Sequence, residues 1–222
     1  MKVGTDGIVL GAWTPIQDAA RALDVGTGSG LLALMLAQRS RNLMVDAVEI
    51  ESAAARQARV NVANSPWSER VNVINLPLQE LPSAEIVSSS YDLIVANPPY
   101  FHSLTVPPEK VRELARHDAG LSIAEVIKAA AELLSEQGRL CMIAPAGQLD
   151  LISETAGRNS LFLTKLTWFR PLPDRQPNRI LCQFERKAIA LVEDELLFEL
   201  EHHLHSADYA ELTKEFYLRY RT

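Results

Sequence analysis

Short apolar runs alternate with helix-period segments along most of this chain, and few folds accept that alternation. Strands that pair in parallel need a long crossover between them, usually a helix. Residues 21–25 read as a first strand, followed by a glycine turn and a helix over 31–39. A second strand over 43–50, a helix over 53–64 and a third strand over 71–76 continue the pattern. The run Tyr91-Asp92-Leu93-Ile94-Val95-Ala96 is apolar enough for a strand buried on both faces. Ahead of all these, Thr5-Asp6-Gly7 with Ile8, Leu10 and Trp13 suggests a short helix with an acidic start, closed by Thr14-Pro15.

The second half keeps the rhythm. Ser122-Ile123-Ala124-Glu125 is a capping-box pattern ahead of a helix to about residue 136, with Gly138 placed as its C′ glycine. A strand over 139–144, a helix over 148–158, strand-like runs at 161–169 and 179–184 and a closing helix over 207–220 complete the order. There is no internal repeat, low-complexity tract or Gly/Ser linker. The expectation is an α/β fold: one doubly wound, mainly parallel seven-stranded sheet with helices on both faces. A single domain should span 1–222, with a cofactor half to about residue 96 and a substrate half from 97 onward.

Two motifs sit where such a sheet binds ligands, beyond the carboxyl ends of its strands. In Asp24-Val25-Gly26-Thr27-Gly28-Ser29-Gly30 the alternating glycines permit a sharp turn and close approach to a ligand. A dinucleotide fingerprint would be G-x-G-x-x-G, but its third glycine position holds Leu31, and no G-K-[ST] phosphate loop exists. The ligand expected is therefore an adenosyl compound without a pyrophosphate. Glu49, at the end of the second strand, stands where a carboxylate can accept both ribose hydroxyls.

The other motif, Asn97-Pro98-Pro99-Tyr100, follows the fourth strand. Asn97 and Pro98 each precede a proline and are biased towards extended backbone. The prolines carry no N–H, so this edge offers the Asn97 amide oxygen and the Pro98 carbonyl without competing donors. Two acceptors beside the Tyr100 ring suit a flat group bearing an exocyclic –NH2.

Composition narrows the partners. At 222 residues and 47% hydrophobic content the chain can bury a substantial core. No apolar run nears the ~18 residues of a membrane span, and no secretory leader opens the sequence, so a cytoplasmic protein away from membranes is expected. Cys141 and Cys182 lie in apolar segments and read as free core thiols. No metal is expected: His202, His203 and His205 fall in an acidic segment that suggests surface helix or loop. Trp13, Trp67 and Trp168 read as core or capping aromatics. The net charge of −6 argues against indiscriminate polyanion binding. Locally, however, Lys165, Arg170, Arg175, Arg179, Arg186 and Lys187 outnumber Asp174 and Glu185, and an acidic block from Glu193 follows. Arg170, Arg175 and Arg179 are the better candidates for nucleic acid. The cations of the 102–120 loop (Lys110, Arg112 and Arg116) are offset by Glu109, Glu113 and Asp118.

Taken together, these motifs resemble class I S-adenosylmethionine-dependent methyltransferases of the N-P-P-Y type. The segments 1–7 and 10–13, Ala47 to Glu51, Ser65-Pro66-Trp67 and Phe216-Tyr217-Leu218 add a closer likeness. They resemble the family that methylates adenine N6 next to the anticodon of a valine tRNA. The resemblance implies S-adenosylmethionine as cofactor and tRNA as partner; a monomer is expected rather than an oligomer. It implies cofactor contacts from Lys2, Thr5, Asp24, Gly26, Gly28, Gly30, Glu49, Ile50 and Leu78, the last through its backbone because Pro77 stands where the family often has Asp. It implies catalysis by Asn97, Pro98 and Tyr100, and substrate contacts from Phe101, Arg116, Arg170, Arg175 and Arg179. Members usually carry some tens of residues ahead of the segment that opens this chain. The residues alone leave other –NH2 groups open, including a release-factor glutamine amide and DNA adenine, as well as an idle relative that binds without turnover.

Overall fold

A computed structural model describes residues 4–83, 90–99 and 121–218. Eight strands form one sheet: β1 (Arg21–Val25), β2 (Met44–Val48), β3 (Val71–Ile74), β4 (Tyr91–Ala96), β5 (Leu134–Pro145), β6 (Phe162–Arg170), β7 (Arg179–Glu185) and β8 (Val192–Leu197). Their order is β3-β2-β1-β4-β5-β7-β6-β8, parallel except for β7, which runs antiparallel to β5 and β6. The chain winds outward through β2 and β3, then returns to pair β4 with β1. This reversal opens a crevice at the carboxyl ends of β1 and β4.

Strand side chains alternate between two cores. Leu23, Ile94, Ala96, Leu140 and Met142 pack on one face with Val126, Ile127, Ala130 and Leu133 of α4 (Ile123–Leu133) and Ile152 of α5 (Leu149–Arg158). Ala22, Leu93, Val95, Cys141 and Ile143 pack on the other. That face is covered by α1 (Thr5–Trp13), α2 (Leu31–Arg39) and α6 (Ala207–Thr213), with Val62 of α3 (Ser52–Ala63). Leu23, Leu93, Ile94 and Leu140 are at most 1% exposed, and burying each contributes roughly 1.5–3 kcal/mol. Both thiols are buried, and burial pushes each up to about 12. The doubly wound expectation holds, and Trp13 is a core aromatic whose Nε1 donates to Thr167 Oγ1 at 2.8 Å.

The sheet has one strand more than the seven expected. β8 falls in the acidic block, where Glu193-Asp194-Glu195 show no alternation, yet a sheet edge tolerates charge and is protected by it. A small hairpin follows, β9 (Glu199–Glu201) with β10 (Leu204–His205). His203 occupies its turn at φ 72°, while the His205 ring stacks on Tyr209 with centroids 5.1 Å apart. Among the described residues no His/Cys/Asp/Glu group could hold a metal, and no helix is long and apolar enough to cross a membrane.

Gly138 also differs from expectation. The capping box at Ser122 and Glu125 forms, but α4 stops at Leu133 and the backbone of Leu134 is already extended. Gly138 lies within β5, at the irregularity between the pairs Tyr91↔Leu134 and Leu93↔Arg139. A Cβ there would stand 2.7 Å from the Tyr91 carbonyl oxygen and 3.1 Å from the Ser135 nitrogen, so the residue is fixed by close backbone approach. Gly138→Ala is expected to cost about 1–3 kcal/mol, lowering Tm by about 2–4 °C per kcal/mol in a domain of this size. Thermal melting at neutral pH checks this, and an unchanged Tm would contradict it.

Candidate active site

β1 delivers Asp24 and the glycine turn to the crevice. Gly26, Gly28 and Gly30 take φ values of 68°, 58° and 83°, a region that costs other residues energy. The turn is stitched to the end of β2: the N–H groups of Gly26 and Thr27 both donate to the Val48 carbonyl, at 2.9 and 3.0 Å. Asn61, on α3, donates to the Ser29 carbonyl at 2.8 Å and holds the turn from behind.

Two carboxylates face this turn. Glu49 is 9% exposed; its Oε2 accepts from Gly28 N–H and its Oε1 from Glu51 N–H, both at 2.9 Å. Each oxygen keeps a further lone pair for a hydroxyl. Asp24 is fully buried, and its Oδ2 accepts from Thr27 Oγ1 at 2.5 Å and Ala33 N–H at 3.1 Å. Its Oδ1 is buried without a partner. Burial pushes the Asp24 carboxyl up to about 6; the Thr27 and Ala33 hydrogen bonds oppose this, and Glu49 adds a smaller push upward. Two carboxylates at a glycine turn repel a pyrophosphate but welcome hydroxyls and a cation. Ile50, next to Glu49, is 52% exposed at the same strand end and offers an apolar face.

S-adenosylmethionine fits these residues. It carries an ammonium for the orphaned Asp24 oxygen, a ribose diol for Glu49 and a purine for Ile50. Thr5 opens α1, and Leu78 opens a 3-10 turn (Leu78–Ser83) with its side chain in the core. Asn75, just past β3, was not anticipated. Its Nδ2 donates to the carbonyls of Glu49 (2.7 Å) and Ile50 (3.1 Å), fixing the backbone that presents both residues. A polar residue at a strand's carboxyl end is the signal that could have found it.

Val25 and Ala96 are paired across β1 and β4, so Gly26 and Asn97 leave adjacent strands about 4.8 Å apart. The two motifs, separated by 66 residues of chain, therefore meet at one place. Asn97 is half-buried and Pro98 buried. A Cβ on Gly7 would lie 3.9 Å from Asn97 Nδ2, which puts the first turn of α1 against this amide. Arg179, at the start of β7, donates to Asp6 of that turn at 3.0 Å. Gln148, in the turn after β5, also holds a buried side-chain oxygen without a partner at this edge.

The predicted arginines separate. Arg179 is committed to Asp6, and Arg170 grips Glu195 with two bonds of 2.7 Å. The Arg175 side chain is 68% exposed. Lys2, Tyr100, Phe101 and Arg116 lie outside the described residues.

The glycine turn, the two carboxylates and the Asn-Pro-Pro edge on one doubly wound sheet define a methyltransferase, and the comparisons agree. The family described as methyltransferase small domain matches residues 10–151. A predicted O-methyltransferase of Agrobacterium tumefaciens superimposes with a TM-score of 0.74 at 19% identity, covering 95% of this chain and 96% of that one. TrmN of Thermus thermophilus gives 0.55 at 21% identity over 76% and 44%. More specifically, the chain is 43% identical to the tRNA1(Val) (adenine(37)-N6)-methyltransferase of Trichodesmium erythraeum, over 99% of this chain and 92% of the relative. The same enzyme of Bacteroides thetaiotaomicron is 40% identical over 98% and 91%. The chain belongs to this tRNA1(Val) (adenine(37)-N6)-methyltransferase family.

The burial of Asp24 makes stability depend on pH. Its folded pKa of about 6 lies above the ordinary 3.8, so this group's contribution is fully present below pH 4 and lost as pH rises through 6. Asp24→Asn should stabilise the ligand-free protein at pH 8 by roughly 3 kcal/mol at most, seen as a higher Tm, with the gain vanishing towards pH 4. The same variant should lose the Tm increase that S-adenosylhomocysteine gives the parent protein. A variant less stable than the parent at pH 8, or still stabilised by that ligand, would contradict this assignment.

Proposed function

We propose that this protein transfers a methyl group from S-adenosylmethionine to the N6 amine of the adenine next to the anticodon in a valine tRNA. One observation carries the reading: the Asn97-Pro98 acceptor edge leaves the strand beside the one that bears the glycine turn. Methyl donor and amine acceptor are thereby brought together at a single switch point.

S-adenosylmethionine supplies an electrophilic methyl group on a sulfonium. The residues do the rest. Glu49 binds the ribose hydroxyls, Asp24 balances the ammonium, and the exposed face of Ile50 covers the purine. Lys2, Thr5 and the backbone at Leu78 complete this pocket. The Asn97 oxygen and the Pro98 carbonyl accept the two N6 hydrogens of the target base. Adenine N6 is a poor nucleophile because its lone pair is delocalised into the ring. Paired acceptors favour the rehybridised nitrogen, and they strengthen as positive charge develops on it. In-line alignment of nitrogen and methyl supplies further advantage. No strong base is needed, since the methylated ammonium is acidic enough to release its proton to water. Tyr100, with Phe101, stacks the extruded base, worth about 1–3 kcal/mol. Arg116 and Arg175 meet RNA phosphates, and Arg179 holds α1 against the site. In this reading the cofactor half runs to about residue 96 and the substrate half follows, within one cytoplasmic, monomeric domain.

Asn97→Ala tests the acceptor edge. It should reduce the methylation rate about 100- to 1,000-fold while S-adenosylhomocysteine affinity stays at the parent value. Near-parent turnover with the cofactor site intact would exclude the proposed role of the amide.

A further inference from the structure

The run from Lys165 to Lys187 looks like a continuous basic grip in sequence, but the fold disperses it. Lys165 lies over the Trp13 ring, 4.8 Å from its centroid. Arg186 donates to the Ala131 and Leu134 carbonyls at the end of α4. Lys187 follows β7 at the amino edge of the sheet, away from Asn97. Arg179 is bound to Asp6.

The 171–178 loop between β6 and β7 lies at the carboxyl edge. Pro145 pairs with Arg179 there, and the Ala146 N–H donates to the Asn178 carbonyl at 3.2 Å. Arg175 reaches out from this loop, and among the described residues its ion pair is with Asp174, at 3.8 Å. Its backbone is restrained by Arg170, whose Nη1 donates to the Arg175 carbonyl. The other two arms of Arg170 close on Glu195: Nε to Oε1 and Nη2 to Oε2, both 2.7 Å. Glu195 belongs to β8, outside β6. One guanidinium thus spans an edge strand and the loop, using a fork that lysine cannot reproduce.

We propose that Arg170 and Glu195 are positioning residues, a buckle that holds the 171–178 loop so that Arg175 meets a backbone phosphate of the tRNA. The inference rests on the tRNA reading above and assigns the phosphate contact of this loop to Arg175 rather than to Arg170, Arg175 and Arg179 together. It gives the acidic edge strand a task in binding a polyanion.

Glu195→Gln separates this account from simple electrostatics. Removing a negative charge near bound RNA ordinarily tightens binding; releasing the buckle should weaken it. The measurement is the dissociation constant of an unmodified valine tRNA transcript across a salt series, for Glu195→Gln, Arg170→Lys and Arg175→Ala. Losing one phosphate contact at 0.15 M salt costs about 5-fold and lowers the salt slope by about 1. All three variants should show that loss, while S-adenosylhomocysteine affinity and Tm stay at parent values. Arg170→Lys keeps the charge, so parent-like binding by that variant would make Arg170 a direct phosphate contact and overturn the proposal. Unchanged or tighter binding by Glu195→Gln would overturn it as well, as would loss of fold or ligand in both buckle variants. Failure of the parent protein itself to bind the transcript would instead remove the tRNA reading on which the proposal stands.

Discussion

The Glu49 carboxylate is the joint on which this site depends. Its two oxygens take the N–H groups of Gly28 and Glu51 at 2.9 Å, tying the glycine turn after β1 to the backbone after β2. The Val48 carbonyl repeats the tie by accepting from Gly26 and Thr27. A turn built of left-handed glycines is entropically loose when free. Bound at these points, it becomes a preformed cradle whose acceptors are already aimed. Asn75 and Asn61 brace it from two other elements. Asp24 remains a buried carboxyl whose pKa is raised by burial and whose Oδ1 lacks a hydrogen-bond partner. That arrangement favours a ligand bearing a cation.

The frame was legible because strand periodicity and buried runs report the sheet directly. β1, β4, α1 and the capping box of α4 all stand where their residues place them. The failures share a cause. β8 was hidden because Glu193, Asp194 and Glu195 obey the chemistry of a sheet edge rather than the alternation of a half-buried strand. Gly138 was misassigned because a glycine after a helix also suits a bulge, and only the distance to Tyr91 distinguishes the two. In the site, Asp24, Glu49 and Asn97 could be placed because each ends a readable strand. The pairing of Arg170 with Glu195 could not, since it joins residues 25 apart through an unrecognised strand.

The arginines follow a related logic. Arg39 donates to the carbonyls of Gly11 and Thr14, each at 2.7 Å, where α1 stops. Arg70 does the same for Ala37, Ser40 and Leu43 beyond α2. Arg186 serves the end of α4. Several guanidiniums thus satisfy helix-end carbonyls, a use of positive charge that a helix C-terminus rewards. Among the described residues, these arginines serve the fold rather than a ligand.

The central claim is that the Asn-Pro-Pro edge presents an adenine N6 of tRNA to the methyl donor. The most direct measurement supplies methyl-labelled S-adenosylmethionine with bulk tRNA, duplex DNA or a release factor, and then identifies the labelled product by digestion and mass spectrometry. The account predicts label in the tRNA alone, recovered as N6-methyladenosine. Label in a protein glutamine, in DNA or at any other atom of the tRNA would contradict it.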